Sequence, residues 1–175
     1  PVLGEFDPAS VAHIGLAALP VIPEISDQAR LIYLDALSHG ADPHSFVKVG
    51  DCMTDDPHFL IPFADAYDLG EYSDLENVIT HFSTGADTPD NPFSRISQAA
   101  EGGFNAASIL DSLWINPEYC ESGETPLSCE IRLMNPSVAL IMFGTNDLYY
   151  LNEAQFDYFL RATIVETARS GVLPV

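Results

Sequence analysis

The sequence predicts an α/β domain of three layers, in which helices cover both faces of a parallel β-sheet. Strand-like segments alternate with helix-like segments along the chain, as they do in parallel α/β sheets. The clearest strand, VALIMF at 138–143, is apolar without interruption, which is typical of a strand buried on both faces. With 175 residues, 47% of them hydrophobic, the chain is large enough for one such domain.

The beginning of the chain predicts an extended strap rather than a regular element. It is rich in Ala, Pro and Val, and Pro20 and Pro23 interrupt any helix or strand that would continue through them. We expect this strap, residues 1–25, to pack on the surface of a domain formed by residues 26–175.

A helix and a strand are predicted directly after the strap. Ser26 or Asp27 is a suitable N-cap for a helix over 27–39, where apolar residues recur at helical spacing. The segment FVKV at 46–49 predicts the first strand, and Gly50 ends it.

The rest of the chain continues this alternation of helix and strand. Helices are expected over 74–83 and 106–113, with a short strand between them at 95–97. After the VALIMF strand, a longer helix is expected over 152–170, and residues 172–175 resemble the opening of another strand.

The charge of the chain is strongly negative. It carries 26 acidic against 6 basic residues, for a formal net charge of −20, and Lys48 is its only lysine. Such a chain repels the phosphate backbone of nucleic acids, so we expect no nucleic-acid partner. No apolar run reaches the length of a membrane span. A solvated acidic surface is the first interpretation, and cation binding or adaptation to a salty medium is the alternative.

The cysteines bear on the environment of the protein. Cys120 and Cys129 frame the short loop CESGETPLSC, which a disulfide closes easily. If the two are bridged, the compartment is oxidising and the protein is extracellular or on the cell surface. Two unpaired structural thiols are the alternative. Cys52 is left without a partner, and an odd cysteine requires an explanation.

Three segments hold the candidate functional residues. VGDCMTD at 49–55 follows the first strand, and FGTNDL at 143–148 follows the VALIMF strand. AAEGGFNAASIL at 99–110 lies between them. In open parallel sheets, functional groups gather on loops at the carboxyl ends of strands, which is where the first and last of these segments are predicted to lie.

Together these segments resemble, in order and approximate spacing, the sequence blocks of the SGNH/GDSL hydrolases. The resemblance implies a flavodoxin-like α/β fold, no metal or other cofactor, and hydrolysis of acyl or acetyl esters of a small-molecule or carbohydrate substrate. It places Cys52 at the nucleophile position. It makes the backbone N–H groups of Cys52 and Gly103, with the amide of Asn146, the oxyanion donors. Asp51 and Asp147, in the same motifs, are the candidate substrate-binding residues.

The nucleophile position departs from the family, which has a serine where this chain has Cys52. A thiolate is a competent acyl acceptor. The N–H donors of the turn favour the thiolate, whereas the neighbouring carboxylates of Asp51, Asp55 and Asp56 favour the protonated thiol. A reactive and an inert Cys52 therefore both stay open.

The general base is the second departure. The family's D-x-x-H block should lie well beyond the G-x-N-D block, but residues 148–175 contain no histidine, and His81 is the last one in the chain. We therefore expect a C-terminally incomplete domain whose VALIMF strand keeps an unpaired edge, and a second chain or further segment that completes it. A displaced base among the histidines of the front half, with His58 nearest to Cys52, is the alternative.

A different class of function is consistent with the same residues. With Cys52 at the nucleophile position and no base assigned, the chain also fits a non-catalytic extracellular binding protein that retains the hydrolase fold. A structural subunit that buries the edge of the VALIMF strand is a third interpretation. Trp114 and Tyr119, beside the cysteine loop, are candidates for the wall of a substrate cleft, although ordinary packing accounts for most aromatic residues.

Overall fold

The computed structural model of the chain describes Pro20 and residues 24–83 and 91–175. The predicted strap over 1–25 lies outside the described residues, apart from Pro20 and its last two positions, so its course stays a prediction. Within the described ranges, no helix is both long enough and apolar enough to cross a membrane.

The core of the domain is a parallel sheet of three strands. They are β1, Asp42–Gly50, β2, Pro136–Met142, and β3, Leu173–Pro174, and they lie in the order β1-β2-β3. All neighbouring pairs are parallel. The predicted α/β class with a parallel sheet is therefore confirmed, and each predicted strand at 46–49, 138–143 and 172–175 overlaps an observed one.

The central position of β2 corrects one expectation. Its second edge is not unpaired, because the end of the chain lies along it in register, with Val138 opposite Leu173. The N–H of Ile141 donates to the carbonyl of Val175 at 2.8 Å, and the N–H of Val175 donates to Ala139 at 2.9 Å. Within the described residues, the edges without a paired strand are the outer edges of β1 and β3. The incomplete domain and its completing chain stay predictions.

Local signals set the ends of the helices. The first helix, α1, is Asp27–Ser38, and it begins where Ser26 Oγ accepts the N–H of Ala29 at 3.1 Å. The helix predicted over 27–39 is thereby confirmed, and so is the one over 152–170. The remaining helices of the described ranges are α2 Cys52–Asp55, α3 Glu76–Ser83, α4 Pro126–Met134, α5 Asp147–Tyr150 and α6 Glu153–Arg169, with 3₁₀ helices at Ile61–Ala64, Gly70–Leu75, Ser108–Leu110 and Ser112–Trp114.

Two predicted elements are wrong. The strand expected at 95–97 is irregular, because Ser97 Oγ donates to the carbonyl of Lys48 at 2.6 Å and so takes the place of a backbone ladder. The helix expected over 106–113 is two short 3₁₀ turns. The interruption lies at Asp111, whose backbone is extended and whose carboxylate accepts the N–H of Leu113, so that it ends the first turn and caps the second.

Helices cover both faces of the sheet, so the domain has the three layers predicted. Val47 and Val49 point to one face, where they pack in a buried cluster with Leu127 of α4. Phe46 points to the opposite face, since successive side chains of a strand alternate, and it packs there with Ile79 of α3.

The disulfide predicted in the CESGETPLSC loop is present between Cys120 and Cys129. Cys129 is fully buried at the start of α4, whereas Cys52 is free and exposed. The bridge therefore fixes the loop before α4 to the helix itself.

We expect the double substitution Cys120→Ala/Cys129→Ala to lower the free energy of unfolding by about 2–3 kcal/mol, because a bridge across a loop of this length restricts the unfolded chain by about that amount. Urea denaturation followed by circular dichroism measures the difference. Cys52→Ala removes an exposed thiol outside the bridge and should change the free energy by less than about 0.5 kcal/mol. Equal stabilities of the double variant and the wild type would contradict the expectation.

Candidate functional site

The three motif segments meet at the carboxyl edge of the sheet. Gly50, the last residue of β1, lies opposite Met142, the last residue of β2, so the loops that follow the two strands emerge side by side. The third segment joins them because the N–H of Gly50 donates to the carbonyl of Ala99 at 3.0 Å. Segments far apart in sequence are thereby brought to one edge, as expected for a parallel sheet.

The carboxylate of Asp51 holds the first segment to the last. Asp51 is 1% exposed and is the N-cap of α2. Its Oδ1 accepts the N–H of Met53 at 2.9 Å, and its Oδ2 accepts the N–H of Thr145 at 3.1 Å. Both carboxylate oxygens therefore accept backbone N–H groups, one in each motif.

The carboxylate of Asp147 likewise joins the last segment to the middle one. It is 2% exposed, its Oδ1 accepts the N–H of Ala106 at 2.8 Å, and its Oδ2 accepts the N–H of Gly144 at 2.9 Å. The structure thus gives both Asp51 and Asp147 a role in holding loops together. That they bind substrate stays a prediction.

Asn146 and Gly103, the two candidate oxyanion donors besides Cys52, both belong to segments that meet at this edge. The amide Nδ2 of Asn146 donates to the carbonyl of Phe104, the residue after Gly103, at 2.8 Å. Gly103 is exposed and has a φ of +101°, a conformation that favours glycine. One hydrogen of the Asn146 amide is engaged in this bond, and the amide carries two.

Cys52 is exposed at the first position of α2. The turn that presents it is packed tightly from below. Thr54, buried on the inner side of α2, donates its hydroxyl to the carbonyl of Met142 at 3.3 Å, directly over Gly50. Cys52 is therefore presented to solvent on a turn whose inner side is fixed to both strands.

Most of the described histidines lie away from Cys52. His81 Nε2 donates to the carbonyl of Pro43 at 2.8 Å, and His44 Nδ1 donates to the carbonyl of His81 at 2.6 Å, at the amino end of β1. Cys52 follows the carboxyl end of the same strand. His39 precedes β1 and contacts its own helix α1 through Asp35.

His58 is the described histidine that shares a loop with Cys52. Its Nδ1 lies 2.8 Å from Asp56 Oδ1, and its side chain is almost wholly exposed. The N–H of His58 also donates to Asp56, and this bond, followed by that from the imidazole, lowers the pKa of the Asp56 carboxyl. A histidine paired with an aspartate is the combination that a general base and its orienting acid require. These hydrogen bonds join His58 and Asp56 to each other and not to the turn that carries Cys52.

A buried charged cluster behind the site was not anticipated from the sequence. Glu130 of α4 is 0% exposed and accepts from the guanidinium of Arg95 and from the N–H of Gln98 at 2.8 Å. Lys48 is buried in β1 and donates to the carbonyl of Phe93 at 3.1 Å. Burial lowers the pKa of Lys48, and the nearby carboxylate of Glu130 opposes that shift.

Two sequence signals point to this cluster in retrospect. Lys48 is a lone charge within the apolar strand FVKV. Glu130 lies three residues after the buried Leu127 and so shares the inward face of α4. A charged side chain on a buried apolar face needs a partner, but neither signal identifies the residue that is that partner.

A cleft of about 800 Å³ opens beside the candidate site. It is reached from both sides by the motif segments, because Asp55 ends α2 and Glu101 precedes the two glycines of the middle segment. Trp114 and Tyr119, the aromatic residues singled out in the sequence, both line it. Both residues therefore lie at a cleft, and that this cleft takes a substrate stays a prediction.

The described residues bring three residues of metal-ligating types together at one place, Cys120, Glu124 and Cys129. The two sulfurs are joined in the disulfide, so they are not thiolates that could bind a metal. Glu124 instead accepts from Arg132, whose guanidinium lowers the pKa of the Glu124 carboxyl. This arrangement is a structural anchor of the loop before α4.

Comparison of the chain with the models of known protein families, with curated proteins and with solved structures gives no match.

Proposed function

We propose that this domain is an SGNH-like ester hydrolase that acts on acyl or acetyl esters. The observation that carries the proposal is the meeting of the three motif segments at one edge of the sheet, through the carboxylates of Asp51 and Asp147 and the amide of Asn146. Motif residues that are distant in sequence and adjacent in space are what a hydrolase site of this kind requires.

In the proposed reaction, the thiolate of Cys52 attacks the carbonyl carbon of the ester. A carbon–sulfur bond forms, and the electron pair of the C=O bond moves to its oxygen. The N–H groups of Cys52 and Gly103 and the Asn146 amide stabilise that oxyanion, and a single such donor contributes roughly 3–4 kcal/mol. Collapse expels the alkoxide, which takes up a proton, and water then hydrolyses the thioester to release the acid.

We propose that the general base reaches Cys52 from outside the described residues, as the family's D-x-x-H pair would do. Within the loop of Cys52, the His58–Asp56 pair is the alternative base, and His58→Ala separates the two. If His58 is the base, this change removes turnover together with its pH dependence. If the base lies elsewhere, the exposed His58 is dispensable.

Replacement of the nucleophile tests the proposal directly. We expect Cys52→Ala to lower kcat/KM for p-nitrophenyl acetate, an acetylated sugar or a short-chain thioester at least about 100-fold, since the nucleophile is the group most sensitive to removal. Cys52→Ser retains a nucleophile over the same donors and should keep measurable turnover. Met53→Ala, an exposed neighbour, is the control. Wild-type rates in both Cys52 variants would exclude this mechanism.

A non-catalytic binding protein with the same fold is the second candidate. The exposed Cys52 in place of a serine, and the position of His39, His44 and His81 away from it, favour this alternative. Saturable binding of an acetylated sugar by the wild-type protein, without turnover, would support it. The third interpretation, a subunit that buries the edge of β2, has lost its premise because β3 lies along that edge.

We also propose an extracellular or cell-surface location. The Cys120–Cys129 disulfide supports it, because such bridges persist in oxidising compartments.

A further inference from the structure

We propose that the cleft beside Cys52 is a binding site for a neutral sugar, so that the ester is carried by a carbohydrate. This inference rests on the proposed function for the role of the sugar as substrate, but the binding site itself can be tested without turnover. The cleft, at about 800 Å³, falls within the roughly 300–1,000 Å³ typical of small-molecule sites.

The first observation is a pair of exposed aromatic rings at the cleft. Trp114 is 51% exposed and Tyr119 55% exposed, although rings of this size are usually well buried. Trp114 packs edge-to-face against the buried Phe104, with ring centroids 6.0 Å apart. Exposed rings held in place from behind are suited to stack against the apolar C–H face of a pyranose, because little side-chain freedom is lost on binding.

Tyr119 is held by its backbone. It immediately precedes Cys120 of the disulfide, and its carbonyl accepts from the Arg132 guanidinium at 3.0 Å. Its N–H donates to the carbonyl of Asn116 at 3.1 Å. The backbone of Tyr119 is therefore fixed as part of the loop that the disulfide joins to α4.

The second observation is the set of polar groups around the rings. The residues that line the cleft also include Gln98 and Asn116, which carry carboxamides, and Asp55 and Glu101, which carry carboxylates. Amides donate and accept hydrogen bonds, and carboxylates accept from hydroxyl groups, so together they match the alternating donors and acceptors of a sugar's rim. An acyl chain alone would make no hydrogen bonds with these groups.

Charge narrows the class of sugar. The guanidinium of Arg95 lines the cleft, but it is paired with the buried Glu130. Asp55 and Glu101 add two acidic residues to the lining, and the chain as a whole has a net charge of −20. Uronic acids and sugar phosphates are therefore repelled, whereas a neutral sugar is not.

The position of the cleft supplies the link to the chemistry. Asp55 lies at the end of the same short helix that Cys52 begins, and Glu101 lies two residues before Gly103. A sugar stacked on Trp114 is thereby flanked by the two segments that hold the nucleophile and one oxyanion donor. An acyl group on its rim would be directed to that edge of the sheet.

Calorimetric titration of the protein with xylotetraose and with chitotetraose tests the inference. We expect saturable binding of at least one of them, weakened at least about tenfold by Trp114→Ala and by Tyr119→Ala, since stacking on an aromatic ring contributes about that factor. Trp114→Phe keeps a ring at the site and should recover most of the affinity. Tyr72→Ala removes a ring that is equally exposed and outside the cleft, and it should have no effect.

Tetragalacturonate serves as the anionic probe and should bind at least about tenfold more weakly than the neutral probes. The inference is overturned if neither neutral probe binds, if Trp114→Ala binds as the wild type does while circular dichroism shows it folded, or if tetragalacturonate binds best. Cys52→Ala should bind the sugars normally. Loss of turnover with intact sugar binding in that variant, or binding without any turnover, distinguishes a failure of the proposed reaction from a failure of this inference.

Discussion

We expect Gly50→Ala to destabilise the domain by about 3 kcal/mol or more. A Cβ at this position would overlap Thr54 Oγ1 and the backbone carbonyl of Met142 far inside van der Waals contact. Neither atom can easily yield, because Thr54 is buried and its hydroxyl donates to that same carbonyl. Overpacking by one methyl group costs typically 1–3 kcal/mol, and a clash with paired backbone belongs at the upper end of that range or beyond.

Urea denaturation of the Gly50→Ala variant measures this cost, with Gly102→Ala as the matched control. Gly102 lies in the adjoining segment, and a Cβ there would have no heavy atom within 4 Å. We expect the control to stay within about 0.5 kcal/mol of the wild type. Because Gly50 precedes the nucleophile turn, the fraction of Gly50→Ala that folds should also show impaired turnover. Equal unfolding free energies for the two variants would show that the turn relaxes around the methyl group.

The second large effect is expected at the buried charged cluster. Glu130→Gln should lower the free energy of unfolding by about 3 kcal/mol, because Glu130 is buried and the guanidinium of Arg95, whose side chain is only 14% exposed, loses its counter-charge. It also removes the carboxylate that opposes the effect of burial on Lys48. A buried ion is costly once its partner is removed, even where the intact pair adds little.

Two variants show whether the loss arises from the broken pair. Glu166→Gln removes one partner of an exposed ion pair with Arg169 and should cost no more than about 1 kcal/mol. Glu130→Met combined with Arg95→Met replaces both partners by apolar side chains and should recover a large share of the stability lost in Glu130→Gln. A Glu130→Gln protein as stable as Glu166→Gln would mean that the pair is open to water.

The elements that the sequence predicted well are those set by neighbouring residues. The N-cap at Ser26 and the helical spacing after it define α1, and the uninterrupted VALIMF segment defines β2. The disulfide could also be predicted from a short segment, because Cys120 and Cys129 lie only nine positions apart. In each case the residues that determine the element lie within about ten positions of it in the sequence.

The features that the sequence did not predict depend on contacts between distant segments. Where a strand was expected, the hydroxyl of Ser97 instead donates a hydrogen bond to the backbone of β1. The pairing of β3 with β2 follows from the order of the strands in the sheet, which no local sequence pattern encodes. In the candidate site, the motifs identified Asp51 and Asp147 correctly as residues of the loops. Their side chains face inward to backbone N–H groups, which only the assembled loops reveal.

The pairing of β1 with β2 has a consequence for how the chain is made. Gly50 lies opposite Met142, so 142 − 50 = 92 residues separate the two partners. At a synthesis rate of roughly 5–20 residues per second, β1 leaves the ribosome about 5–18 s before its partner strand exists. Throughout that interval β1 has no partner strand, and parallel pairing over such a separation is intrinsically slow. Lys48, within the apolar part of that strand, then keeps a charge in the unpaired segment, before burial in the finished domain.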